Sequence, residues 1–216
     1  MGEHAGASHG SHGGHGHGAA LPPGHFHHLE PEQAYHSAKL GMWLFLATEI
    51  LFFGGLFCSF AVFHGVYYDM FHEGAKQLDW KMGFLNTCVL LCSSFSMAMG
   101  VDAAQRGNNK KVVTCMNITL LGGLAFMVVK YIEYTTKFSH GIFPWTNMYF
   151  GLYFSMTGLH GIHVVVGLGL LWWIRSLAKK ERFSETYYTP VEVIGLYWHL
   201  VDAIWIYLFP LLYLIK

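Results

Sequence analysis

Only 12% of the 216 residues are charged, against 53% hydrophobic and 17% aromatic, whereas soluble domains carry roughly 25% charged side chains. Thirteen basic and thirteen acidic residues cancel to a net charge of zero, so the charge gives no reason to expect nucleic acid as a partner. The mean hydropathy of +0.35 places the surplus apolar surface in lipid and excludes an ordinary soluble domain.

Residues 1–38 differ in kind from the rest: they hold nine of the 15 histidines, many glycines, three prolines and no Lys or Arg. The segment has neither the basic nor the apolar region of a signal peptide. With so little to bury it is expected to be a largely disordered, His/Gly-rich cytoplasmic tail. His12, His15, His17, His25, His27 and His28 are candidate weak ligands for Zn²⁺, Cu²⁺ or Ni²⁺, although no fixed spacing defines a site.

Residues 39–216 are expected to form an all-α bundle of five transmembrane helices, at about 40–65, 83–104, 112–134, 148–177 and 190–215. Each run is long enough to cross a hydrocarbon core of about 30 Å at a rise of about 1.5 Å per residue. Short polar connectors separate them. The connectors after the second and fourth runs hold Arg106, Lys110, Lys111, Lys179, Lys180 and Arg182, whereas those after the first and third hold Lys76, Lys81 and Lys137. The positive-inside rule then puts the N-terminus in the cytoplasm and the C-terminus outside. Cys58, Cys88, Cys92 and Cys115 all lie in apolar runs and read as buried small hydrophobes, with no disulfide framework.

Ionisable groups inside these runs carry the functional signal, because an acid or base at that depth costs roughly 2.5–3.5 kcal/mol and so faces protein or water. Glu49 lies near the middle of the first run. Lys130 and Glu133 are three apart on the third, spaced to pair. His160 and His163 share a face of the fourth. Glu192, Gly195, His199 and Asp202 make one stripe on the fifth. Three readings compete: interhelical hydrogen bonds, a metal or haem site at His160 and His163 with Glu133 or Asp202, and an ion path.

The segments KLGMWLFLATEILFFGGLF, FLNTCVLLCSSF, KYIEY, GLHGIHVVVG and YWHLVDAIW together resemble subunit III of the haem–copper respiratory oxidases, the cytochrome c and quinol oxidase family. The resemblance runs from about Lys39 to the C-terminus, and Glu192 also occupies a family position. It implies a non-catalytic accessory subunit that carries no redox centre, in a complex whose catalytic activity is proton-translocating oxidation of cytochrome c or quinol. The implied partners are subunits I and II, which hold haem and copper, with a larger respiratory supercomplex as an extension. Phospholipid binding, support of proton uptake and protection from inactivation during turnover are implied as well. Glu49 matches the carboxyl that reacts with a hydrophobic carbodiimide, and Arg175 a position that holds a lipid headgroup.

Many members have seven helices, the first two forming a lipid cleft against the others; this chain has the later five. Family histidines after the second run are replaced by GVDAAQRGNN, and those before Glu192 by Tyr187, Tyr188 and Thr189. The five-helix form points to a bacterial plasma membrane. The rival from a different class is an independent membrane metal handler, with the tail as collector and the bundle histidines as relay.

Overall fold

The computed structural model describes residues 31–184 and 187–215; the tail histidines His12 to His28 lie outside them. Among the described residues there is no β-strand, and six helices follow one another: α1 (Pro31–Val66), α2 (Tyr68–Lys76), α3 (Trp80–Gln105), α4 (Asn109–Ser139), α5 (Met148–Lys179) and α6 (Thr189–Tyr213). All but α2 are long and apolar enough to cross a membrane. The all-α, five-span architecture is therefore present.

Local chemistry sets the helix ends. Asp79, Asn108 and Asn147 cap α3, α4 and α5 by accepting the amides of Lys81, Lys111 and Phe150 at 2.9, 3.1 and 2.9 Å, satisfying donors that a helix start leaves open. Gly107, at φ 65°, takes the left-handed turn that reverses α3 into α4, a conformation side chains resist. Pro190 sits in the first turn of α6, where its missing N–H costs nothing.

Two boundaries depart from expectation. Helix α1 starts at Pro31, so residues 31–38 belong to a helix and not to the tail. The first connector contains α2, which buries Phe71, Gly74 and Ala75 and exposes Tyr68, Asp69 and Glu73. Gly74 is needed there, because a Cβ would come within 2.3 Å of the Tyr149 ring on α5. On the exposed side the Lys76 ammonium, 2.9 Å from Glu73, holds that carboxyl below its usual range.

Helices α3, α4, α5 and α6 close a ring in which each touches its two neighbours, and α1 lies outside against α6 and α5. At the centre of the ring the Trp198 indole is clamped between Gly123 of α4 and Gly167 of α5. A Cβ on either would approach it to 2.8 Å, so only glycine admits the ring. Its Nε1 donates to Ser93 Oγ of α3 at 3.1 Å, joining all four helices at one residue. At one end of the bundle the Asn109 amide donates to the Phe183 carbonyl at 2.8 Å, and its oxygen accepts the Phe183 amide at 3.3 Å. That clamp holds the α3–α4 and α5–α6 connectors together.

Burial of the cysteines holds for Cys115 alone: Cys58 and Cys92 are exposed on the outer surface and Cys88 is half-buried. On a membrane bundle the outer surface is as apolar as the core, so hydrophobicity does not choose between them.

Candidate functional site

The buried polar residues form separate groups, each built by different helices. Glu49 of α1 and His163 of α5 meet at 3.0 Å, Oε2 to Nε2, with both side chains about one-fifth exposed. His163 Nδ1 lies 2.8 Å from the Leu159 carbonyl, and since a carbonyl only accepts, Nδ1 carries a proton. The second proton of the pair then sits between Nε2 and the carboxyl, on one or the other. Phe53 packs its ring edge-on to the imidazole at 5.3 Å, and Tyr197 donates to the His163 carbonyl at 3.0 Å. The pair borders an apolar groove of about 490 Å³ between α1, α5 and α6, with Met42, Ile162, Val166 and Trp173 among its walls.

Farther toward the start of α1, Lys39 Nζ reaches Glu192 Oε1 of α6 at 2.8 Å, and Tyr35 donates to Glu192 Oε2 at 3.1 Å. Neither Lys39 nor Tyr35 figured among the expected site residues. The available signal was that Lys39 and Glu192 both stand near the starts of helices entering from the same end.

Deeper in the ring, Lys130 and Glu133 pair at 2.9 Å, and the pair is closed by two tyrosines. Glu133 Oε1 accepts from Tyr153 at 2.9 Å and Tyr213 at 2.6 Å. Lys130 donates to those hydroxyls at 3.3 and 2.8 Å, so all three of its donors are used. The ammonium also lies 4.9 Å from the centroid of the Trp205 ring, a favourable cation–π contact. Every charge here is matched, which is what allows the pair to remain buried.

His160 and His163 diverge despite their spacing. His160 is fully buried between Phe126 and Trp205, at 5.5 and 5.4 Å, and neither ring nitrogen has a hydrogen-bond partner among the described residues. The expected α6 stripe also divides. Glu192 turns to α1, Gly195 packs against Val101 of α3, and His199 Nδ1 meets Ser94 Oγ of α3 at 2.7 Å. Among the described residues Asp202 is buried with neither oxygen in a hydrogen bond of ordinary geometry, although Ser94 lies near its carboxyl. Asp202→Asn is therefore expected to leave the thermal midpoint of the assembled protein unchanged or higher, since a carboxamide costs less to bury than a carboxylate and keeps an oxygen toward the nearby Ser94 hydroxyl; a clear fall would contradict this.

Arg175 donates through Nε to Asn117 Oδ1 of α4, and its guanidinium carbon lies 4.9 Å from the Trp172 ring. Among the described residues no three His, Cys, Asp or Glu side chains gather closely enough to hold a metal ion. The imidazoles of His163 and His199 are engaged by Glu49 and Ser94 instead.

Five apolar spans, four of them closed in a ring around a matched charge pair, define an all-α, multi-pass membrane protein. Residues 24–216 match the family described as cytochrome c oxidase subunit III. Similar chains named cytochrome c oxidase subunit 3 include one from Corynebacterium diphtheriae, 32% identical over 82% of this chain and 88% of its own length. Another from Synechocystis sp. is 32% identical over 88% of this chain and 79% of its own. A third from Thermostichus vulcanus is 33% identical over 82% and 86%. The chain belongs to the cytochrome c oxidase subunit III family. It is an accessory subunit of a haem–copper oxidase, and the oxidase activity is that of the complex.

Proposed function

We propose that this subunit sits beside the catalytic subunit I, with subunit II, and sustains its proton uptake and its stability during turnover. The observation that carries the reading is the Glu49–His163 pair, a carboxyl and an imidazole 3.0 Å apart beside an apolar groove. A hydrogen bond between a carboxyl and an imidazole gives a proton a path from one to the other without leaving the protein. Arg175 keeps guanidinium N–H groups beyond its Nε bond to Asn117, which suits it to a lipid phosphate. The subunit itself holds no redox cofactor on this reading; haem and copper stay with the partners, and phospholipid is its own ligand.

The clamped connectors support one orientation. Arg106, Lys110, Lys111, Lys179, Lys180 and Arg182 are all exposed at the end that Asn109 holds together. That basic end faces the cytoplasm of a bacterial cell, with the start of α1 inside and the end of α6 outside the plasma membrane.

The test is Glu49→Gln in the assembled oxidase. Proton uptake is expected to slow a few-fold and the enzyme to inactivate after fewer turnovers, with the haem spectrum intact. Unchanged uptake and unchanged turnover lifetime would reduce the pair to a packing contact.

A further inference from the structure

At the end of the bundle that carries α2, a cavity of about 500 Å³ opens beside the last turns of α4. Lys137 lines it and is only 6% exposed. Lysines this close to a helix end usually extend the ammonium into the interface. This one is held inward, its Nζ 5.4 Å from the centroid of the Tyr153 ring.

Its partners are inadequate for a charge. Among the described residues, its hydrogen bonding is a single 3.4 Å contact with the Gln77 carbonyl, longer than the usual N–H···O range. No ion pair forms. Glu133, one turn earlier, spends its oxygens on Lys130, Tyr153 and Tyr213. Asp79, also on the cavity wall, caps α3 through the Lys81 amide. A buried ammonium left unpaired is strongly unfavourable, and its remaining donors are best met from the cavity it lines. His140 shares that wall; its Nδ1 faces the Thr136 carbonyl at 2.7 Å and therefore carries a proton.

We propose that this cavity binds a phosphate group, with Lys137 Nζ as its principal donor. Lys137 lies two residues from the end of α4 at Ser139, about 3 Å along the axis, which is headgroup depth. Lysine binds phosphate as a compact point charge with three donors. The group can arrive on a phospholipid or as free phosphate from the adjoining water, and both present the same oxyanion. This assignment does not depend on the role of Glu49.

The test uses the whole oxidase complex, stripped of loosely held lipid in detergent. It is titrated in one arm with radiolabelled inorganic phosphate and in the other with nanodiscs of phosphorus-labelled phosphatidylglycerol. One saturable site is expected, lost or weakened about tenfold or more in Lys137→Gln, since the substitution removes the charged donor. Lys137→Arg should keep it. Binding in the nanodisc arm alone identifies a headgroup; binding in the phosphate arm identifies the free anion. Asp79→Asn preserves the helix cap and removes a negative charge from the wall, so it should tighten binding about two- to fivefold. That variant serves even if Lys137→Gln fails to assemble. Equal label on wild type and Lys137→Gln, or no tightening in Asp79→Asn, overturns the proposal.

Discussion

Glu133→Ala is expected to destabilise the bundle by about 3–5 kcal/mol, because it strands Lys130 inside the ring. The substitution removes the carboxylate that Lys130, Tyr153 and Tyr213 all address. None of the three can turn to water, since Lys130 is 7% exposed and both tyrosines are fully buried. The measurement is the thermal midpoint of the subunit in the complex, together with its retention through mild-detergent purification. The double variant Lys130→Met with Glu133→Gln removes both charges and leaves an acceptor for the two hydroxyls. It should recover most of the loss, since an ion pair exchanged for neutral groups is often near neutral. Equal damage in the single and double variants would mean that the charge pair is not what holds these helices.

Trp198→Ala should cost a similar amount, about 3–5 kcal/mol, for a different reason: it empties the centre of the ring. Gly123 and Gly167 approach so closely because an indole fills the space between them. With the indole gone neither glycine supplies atoms to replace it, and Ser93 loses the donor at its Oγ. Trp198→Phe keeps most of the volume and forfeits the hydrogen bond, so it should fall between wild type and alanine. Overfilling tests the same packing from the other side. Gly167→Ala brings a methyl to 2.8 Å of the ring and should cost about 1–3 kcal/mol. The same melting and retention assay reads all three, and an unaffected Trp198→Ala would show that the centre collapses without penalty.

Five spans were legible because twenty or so apolar residues in a row have few other uses. The pairing of Lys130 with Glu133 was legible for an equally local reason, since three residues on one helix are neighbours whatever surrounds them. Helix α2 was not: nine residues, three of them buried, carry a short pattern that a polar connector conceals. The early start of α1 was hidden likewise, because residues 31–38 are polar and helix propensity alone is a weak guide.

Faces were harder to assign than spans. Glu192, His199 and Asp202 lie on one stripe of α6, yet Glu192 meets α1 while His199 meets α3. A helix wedged between neighbours offers one stripe to more than one of them. His160 and His163 are also nearly superposed along α5, but a small rotation puts one inside the ring and the other against α1. The hydroxyls that complete the deeper groups, on Ser94, Tyr153 and Tyr213, sit in apolar runs where nothing in the local sequence distinguishes a partner from a bystander.

The amino-acid sequence by itself determined the membrane class, the number of crossings and the place of each charge along its own helix. These depend on hydrophobic length and on short-range spacing, which a chain carries along its own axis. The tertiary structure alone decided which charge answers which. It matched Glu49 to His163 across 114 positions, joined Glu133 to Tyr213 across 80, and left Lys137 without a carboxylate. Electrostatic pairing falls off over a few ångströms in space, and helix rotation, not sequence separation, sets those distances.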